Sequence, residues 1–173
     1  FTARDPRFRR VVEMWVEEGV VEPWEGRLAV FDEPEDPQAR AAGANDTRFV
    51  GVPGMNAMAR RTARGLDVRC GSRVTGLERR GDRWGVHLED GRPLGEFDLV
   101  LVTTPPAQAA PLLTASPRLE ALAAAVEMDP CVAAMVAFDS PLDVPFDGAF
   151  VNKGPLSWIC RNSSKPGRPA GET

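Results

Sequence analysis

Tyrosine is absent from the 173 residues, and histidine occurs once, as His87. A single imidazole excludes a multi-histidine metal site and leaves a nucleophilic triad no choice of base. Cysteine occurs three times, at Cys70, Cys131 and Cys160, widely separated and without a CxxC. Neither a disulfide framework nor a zinc knuckle is expected, and a reducing, cytoplasmic compartment suits such thiols. No uncharged apolar run approaches the roughly 18–20 residues of a membrane-spanning helix, so no membrane partner is expected. Acidic residues outnumber basic ones, 25 to 21, for a net charge of −4, which argues against a nucleic-acid partner. GxSxG, HExxH, P-loop and GxGxxG signatures are all missing.

What is present reads as a soluble globular chain, 43% hydrophobic and 27% charged. Asp5-Pro6 is a capping pair, followed by Phe8, Val11, Val12, Trp15 and Val16 at helical spacing, with Gly19 as a stop. Short extended pieces are expected from Val20 to Phe31, then a polar loop from Asp32 to Asp46. Phe49 to Met55 leads into a second helix with Met55, Met58, Ala59 and Thr62 on one face and Gly65 at its end. The Gly51–Gly54 turn before it is a candidate anion site, through free N–H groups at a helix start.

From Leu66 the apolar period becomes two. Leu66–Cys70 and Arg73–Glu78 read as strands, Gly81-Asp82 as a tight turn, Trp84–Leu88 as the returning strand, and Asp90-Gly91 as a second turn. The expected result is a β-meander with His87 on its polar face. Leu99-Val100-Leu101-Val102 is apolar without alternation, as in a central parallel strand buried on both faces. Thr103-Thr104-Pro105 ends it, at the kind of strand end where open α/β sheets bind ligands. Two helices, Pro106–Leu113 and Pro117–Val126, are expected next, then a buried strand over Cys131–Phe138. Further short strands follow at Phe150-Val151 and Ser157–Cys160, and Cys131 and Cys160 read as buried, inert thiols. The Pro/Gly-rich segment from Ser163 to Thr173 reads as a flexible tail or a long loop.

The order of these elements carries a resemblance. Phe49-Val50-Gly51-Val52-Pro53-Gly54-Met55, the strands around Val74 and Trp84, and Gly95-Glu96-Phe97-Asp98-Leu99-Val100-Leu101-Val102-Thr103-Thr104-Pro105 together resemble the middle of a flavin-containing amine oxidase. Phe1-Thr2-Ala3-Arg4, Gly148-Ala149-Phe150-Val151-Asn152 and Ser157-Trp158 are similar to its bacterial renalase-like branch. The resemblance implies an internal fragment of a longer enzyme, with N- and C-terminal segments of the same chain as missing partners. The implied fold class is α/β with an α+β admixture. Residues 51–113 would be the middle of an FAD-binding Rossmann-type domain with a β-meander, and 1–50 and 114–173 two parts of an α+β substrate domain.

The same resemblance assigns residues. Val74 matches the position whose backbone meets the adenine of FAD, and Arg73 could reach the ribose or a phosphate or simply be solvated. Thr103, Thr104 and Pro105 match the strand end near the ADP half of the cofactor. Trp158, Asn162 and Lys165 match the approach to the isoalloxazine and the substrate. There Trp158 could stack or merely pack a core, Asn162 orient a carbonyl, and Lys165 polarise the reactive edge or lie in solvent. No catalytic residue and no metal ligand is assigned. The implied activity is hydride transfer from an amine or dihydronicotinamide-type donor to FAD, with dioxygen as acceptor. The missing tyrosine departs from the aromatic pair of amine oxidases and leaves the donor open. The alternative is a non-catalytic binding domain derived from the same fold. The isolated chain is expected to be inactive and to self-associate through uncovered apolar faces.

Overall fold

Helix α1 (Pro6–Glu17) begins where the capping pair places it. Asp5 accepts from the amides of Arg7 at 2.7 Å and Phe8 at 3.4 Å, and Pro6 fills the first turn. Gly19 adopts a φ of 68°, the left-handed conformation that ends the helix cheaply only for glycine. The inner face buries Val12 completely, against Ala3, Val20 and Val21, with Phe1, Trp15, Val16, Phe49 and Met58 around them. The computed structural model describes residues 1–33, 40–41 and 46–169.

Two compact units divide the chain. The first comprises Phe1–Leu66 and Ala134–Thr173, the second Asp67–Ala133. In the first, β1 (Val21–Pro23) pairs antiparallel with β4 (Phe49–Gly51). A second sheet runs in the order β3 (Arg40–Ala41), β2 (Leu28–Phe31), β8 (Gly148–Val151), β9 (Trp158–Cys160). Its centre is a parallel pair, Leu28 opposite Gly148 through Phe31 opposite Val151. In sequence, the entire second unit is inserted between these two paired strands. Helix α2 (Ala57–Thr62) completes the first unit.

The second unit is built on the meander β5 (Val74–Arg80), β6 (Arg83–Leu88), β7 (Pro93–Phe97). Gly81, at φ 59°, makes the tight turn opposite which Arg80 and Arg83 pair. Helix α3 (Pro106–Ala109) runs into a 3₁₀ turn (Ala110–Leu112) that packs on β5, and α4 (Pro117–Ala124) follows. Mixed helices and strands agree with the expected mixed class. No helix among the described residues is long and apolar enough to cross a membrane.

Several expectations are corrected. Leu99–Val102 forms no strand: its backbone is unpaired, and Leu99 and Leu101 are 71% and 78% exposed. Cys131–Phe138 is likewise unpaired and open to solvent, with Met135 fully exposed. In both stretches the side-chain pattern of a buried strand is present, but a strand also needs a neighbour to complete its hydrogen bonds. Leu66–Cys70 is irregular too, without a strand partner among the described residues. The second helix is shorter than expected and buries no residue. Cys131 and Cys160 are exposed thiols, not buried ones. The loop expected over Asp32–Asp46 contains β3, and its residues 34–39 and 42–45 lie outside the described residues. The segment from Ser163 is held as far as Pro169 by Arg168, whose Nη1 donates to the carbonyls of Gly51 at 3.2 Å and of Pro53. Residues 170–173 lie outside the described residues.

Candidate functional site

In the first unit, the close approach of β8 to two indoles shapes the region around Trp158. A Cβ on Gly148 would lie 2.9 Å from the Trp158 ring and 3.0 Å from both the Trp24 ring and Leu28, so only glycine fits there. Trp158 is half-buried, 4.5 Å from Phe150 between ring centroids and edge-on to Trp24 at 6.4 Å. Immediately after β9, a 3₁₀ turn (Asn162–Ser164) folds the chain back. Ser164 anchors it by donating to the Arg161 carbonyl at 2.8 Å and accepting from Trp24 Nε1 at 3.2 Å. The turn brings the Lys165 ammonium to 5.9 Å from the Trp24 ring centroid and 3.1 Å from Cys160 Sγ. Asn162 opens the turn, exposed, and its carbonyl accepts from the Lys165 amide.

Trp158, Asn162 and Lys165, proposed from sequence, thus share one strand end and one turn. The surroundings that hold them were not foreseen. Trp24, Phe150, Ser164 and Gly148 have no motif of their own, and only the Gly148–Phe150 segment, quoted for its resemblance, pointed this way. Asp147, just before β8, accepts from the Arg27 amide at 2.9 Å and the Arg27 side chain at 3.1 Å. The Arg27 hydrogen bonds hold its carboxyl below the usual aspartate range against partial burial, with Arg161 adding positive charge.

In the second unit, Val74 begins the edge strand β5. The Glu89 amide donates to the Arg73 carbonyl at 2.9 Å, which makes Val74 and its partner Leu88 a non-hydrogen-bonded pair. The N–H and C=O of Val74 therefore face the free edge, a donor and an acceptor side by side. Arg73 is exposed and 3.7 Å from Glu89. Thr103 and Thr104 are exposed, and the Pro105 carbonyl accepts from Gln108 at 2.8 Å and Ala109 at 2.9 Å to start α3. Taken each by itself, the edge of β5 can offer an adenine a donor–acceptor pair, and the turn after β9 in the first unit can offer a flat ring an aromatic wall beside one ammonium.

The anion site expected at Gly51–Gly54 is corrected. The Gly51 amide is taken by Met55 Sδ at 3.4 Å, the Ala57 amide by the Gly54 carbonyl at 2.9 Å, and the turn offers carbonyls to Arg168. It binds a cation of its own chain. His87 Nε2 lies 3.3 Å from Glu78 Oε2, and Arg80 lies 2.7 Å from the same oxygen. That cluster is a solvent-facing charge network on the meander.

Comparison with known families gives these features a setting. The family model described as flavin containing amine oxidoreductase matches residues 25–169, which include strands and helices of both units. The chain belongs to the flavin-containing amine oxidoreductase family.

Proposed function

We propose that this chain is the central segment of an FAD-dependent oxidoreductase of the renalase-like branch. It would take a hydride from an amine or dihydronicotinamide-type donor and pass the electrons on to dioxygen, in the cytoplasm. Residues 51–113 would belong to the FAD-binding Rossmann-type domain and 1–50 and 114–173 to the substrate domain. The unpaired apolar stretches at 99–102 and 131–138 support the segment reading, since each has the composition of a strand in a larger sheet.

In this reading two of the three parts of a flavin dinucleotide would find partners, each within its own unit. The outward N–H and C=O of Val74 match the hydrogen-bonding edge of adenine, with Arg73 beside them for the ribose or a phosphate and Thr103, Thr104 and Pro105 for the ADP half. Trp158, Asn162 and Lys165 match the ring end. A Gly-rich loop for the pyrophosphate is not in this sequence. The flavin, when bound, supplies the hydride-accepting ring. In this reading Trp158 limits the ring pocket, Asn162 orients a carbonyl of ring or substrate, and Lys165 holds positive charge against the ring's reactive edge.

The observation that carries the proposal is the Lys165 ammonium held by a short turn beside the Trp24–Trp158 pair, within the segment matched to the family. The test is an absorbance scan of protein expressed from the complete gene. Flavin bands at about 370 and 450 nm are expected, bleached anaerobically by an amine or a dihydronicotinamide. Lys165→Met should keep the bands and slow bleaching roughly 100-fold, the scale of one lost electrostatic stabiliser. A colourless protein that takes up no added FAD would overturn the reading.

A further inference from the structure

We propose that Cys160 and Lys165 form a reversible, peroxide-driven sulfur–nitrogen cross-link. Lys165 Nζ lies 3.1 Å from Cys160 Sγ, and the contact is built by the fold. Cys160 closes β9, whose pairing to β8 fixes its backbone through Gly148. Lys165 leaves the 3₁₀ turn with its amide on the Asn162 carbonyl at 3.1 Å. Ser164, tied to both Arg161 and Trp24, fixes the turn between them. Cys160 is solvent-exposed, so a small oxidant reaches it directly.

The residue types matter. Lysine occurs only twice in the sequence, at Lys153 and Lys165, within 21 basic residues. Lys153 is engaged with Glu33. An arginine at 165 would supply the same charge but no nucleophilic amine, because a guanidinium does not lose its proton under these conditions. Cys70 and Cys131 are also exposed, which makes them references within the same molecule.

The chemistry balances with hydrogen peroxide as the only added reactant. The thiolate form of a cysteine is the nucleophile toward peroxide. The thiolate attacks one peroxide oxygen: an S–O bond forms, the O–O bond breaks, and hydroxide leaves and is protonated to water. The product is a sulfenic acid, the reversible first rung of cysteine oxidation. Lys165, after giving its proton to solvent, attacks that sulfur. An S–N bond forms, the S–O bond breaks, and a second water departs with the amine's proton. Sulfur is oxidised by two electrons, and one peroxide becomes two waters. Two equivalents of external thiol reverse the step and leave as a disulfide. While the link stands, the positive charge beside Trp24 is gone. None of this depends on whether the chain holds a flavin.

The full chain is treated with a small molar excess of hydrogen peroxide, alkylated and digested with trypsin. Cleavage after Lys153 and Arg161 separates the peptide of Cys160 from that of Lys165, and the bond before Pro166 stays intact. The expected product is a linked pair of these peptides about 2 Da lighter than their sum, lost on adding dithiothreitol. Lys165→Arg and Cys160→Ser should both abolish it, while Cys70 and Cys131 oxidise as in the parent. Far-UV circular dichroism spectra and urea midpoints of both variants should match the parent's, so that loss of the link is read on folded protein. The proposal is overturned if parent Cys160 advances to sulfinic acid alongside Cys70 and Cys131 with no linked peptide. It is equally overturned if a linked species survives in Lys165→Arg.

Discussion

The two units of this chain spend a similar kind of sequence in opposite ways. The first places Ala3, Val12, Val20, Val21, Trp24, Ala29, Val30, Val50 and Ala149 out of solvent, whereas Val86 and Ala109 are the buried apolar residues of the second among those described. Yet the second and its flanks hold the most apolar runs in the chain. The difference lies in pairing. Each central strand of the first unit has neighbours on both sides, and α1 covers the β1–β4 pair. The three-stranded meander has two open edges, and Leu99–Val102 and Cys131–Phe138 add to neither. Hydrophobicity supplies the drive for burial, but backbone partners decide where it can be satisfied.

The most severe break in the well-packed unit is Gly148→Val. A side chain there meets two indole rings and Leu28 at about van der Waals overlap. A loss of about 3 kcal/mol is expected, the upper range for overpacking, read as a lower urea midpoint. Val12→Ala, a truncation at a completely buried site, should cost about 2 kcal/mol. If either variant unfolds at the parent midpoint, the first unit is not the tight core of the molecule. Segment-resolved hydrogen exchange sharpens the same contrast. Amides of β2 and β8 should exchange far more slowly than those of 99–103 and 131–133.

Carboxylates sharpen the comparison at smaller scale. Asp147 in the first unit and Glu78 in the second are both held below their usual range, Asp147 first by the Arg27 hydrogen bonds and Glu78 first by Arg80, then His87. Asp147 is largely shielded, and it also caps the Arg27 amide. A depressed folded pKa adds stability above the unfolded value, which disappears as pH falls through the folded one. Parent stability should therefore drop below about pH 4, with a shallower drop in Asp147→Asn. Asp147→Asn should itself cost about 1 kcal/mol at neutral pH through the weakened charge-assisted bonds. Glu78 is solvent-exposed, and Glu78→Gln should leave the unfolding midpoint where it is.

How far the sequence reveals these features follows the same physics. The capping pair before α1, the glycine turn of the meander and the proline starts of α3 and α4 are local signals, and they sit where the sequence places them. The parallel pairing of β2 with β8 spans about 120 residues and leaves no local trace. At the candidate site, Trp158, Asn162 and Lys165 are named through the resemblance alone, and the structure sets them on β9 and the turn after it. Trp24 is not named by it, because its place against Ser164 and Trp158 arises only once distant strands meet. The exposed state of Cys160 was misread from its apolar neighbours, since on a short edge strand such neighbours say little about the last residue.

The smallest effect on stability is expected where the apolar residues are most exposed. Val132 is 92% exposed and Leu101 78%, so Val132→Thr and Leu101→Ser remove almost no packing. Their unfolding midpoints should stay within about 0.5 kcal/mol of the parent. Association should respond instead, because bare extended backbone flanked by apolar side chains is a template for pairing with another chain. Sedimentation velocity on the parent should show concentration-dependent oligomers, and the double variant should shift the distribution toward monomer. Equal oligomer content in both would mean that these stretches are not what the second unit leaves unsatisfied. A parent that stays monomeric at high concentration would remove the contrast altogether, because its unpaired stretches would then carry no drive to find a partner.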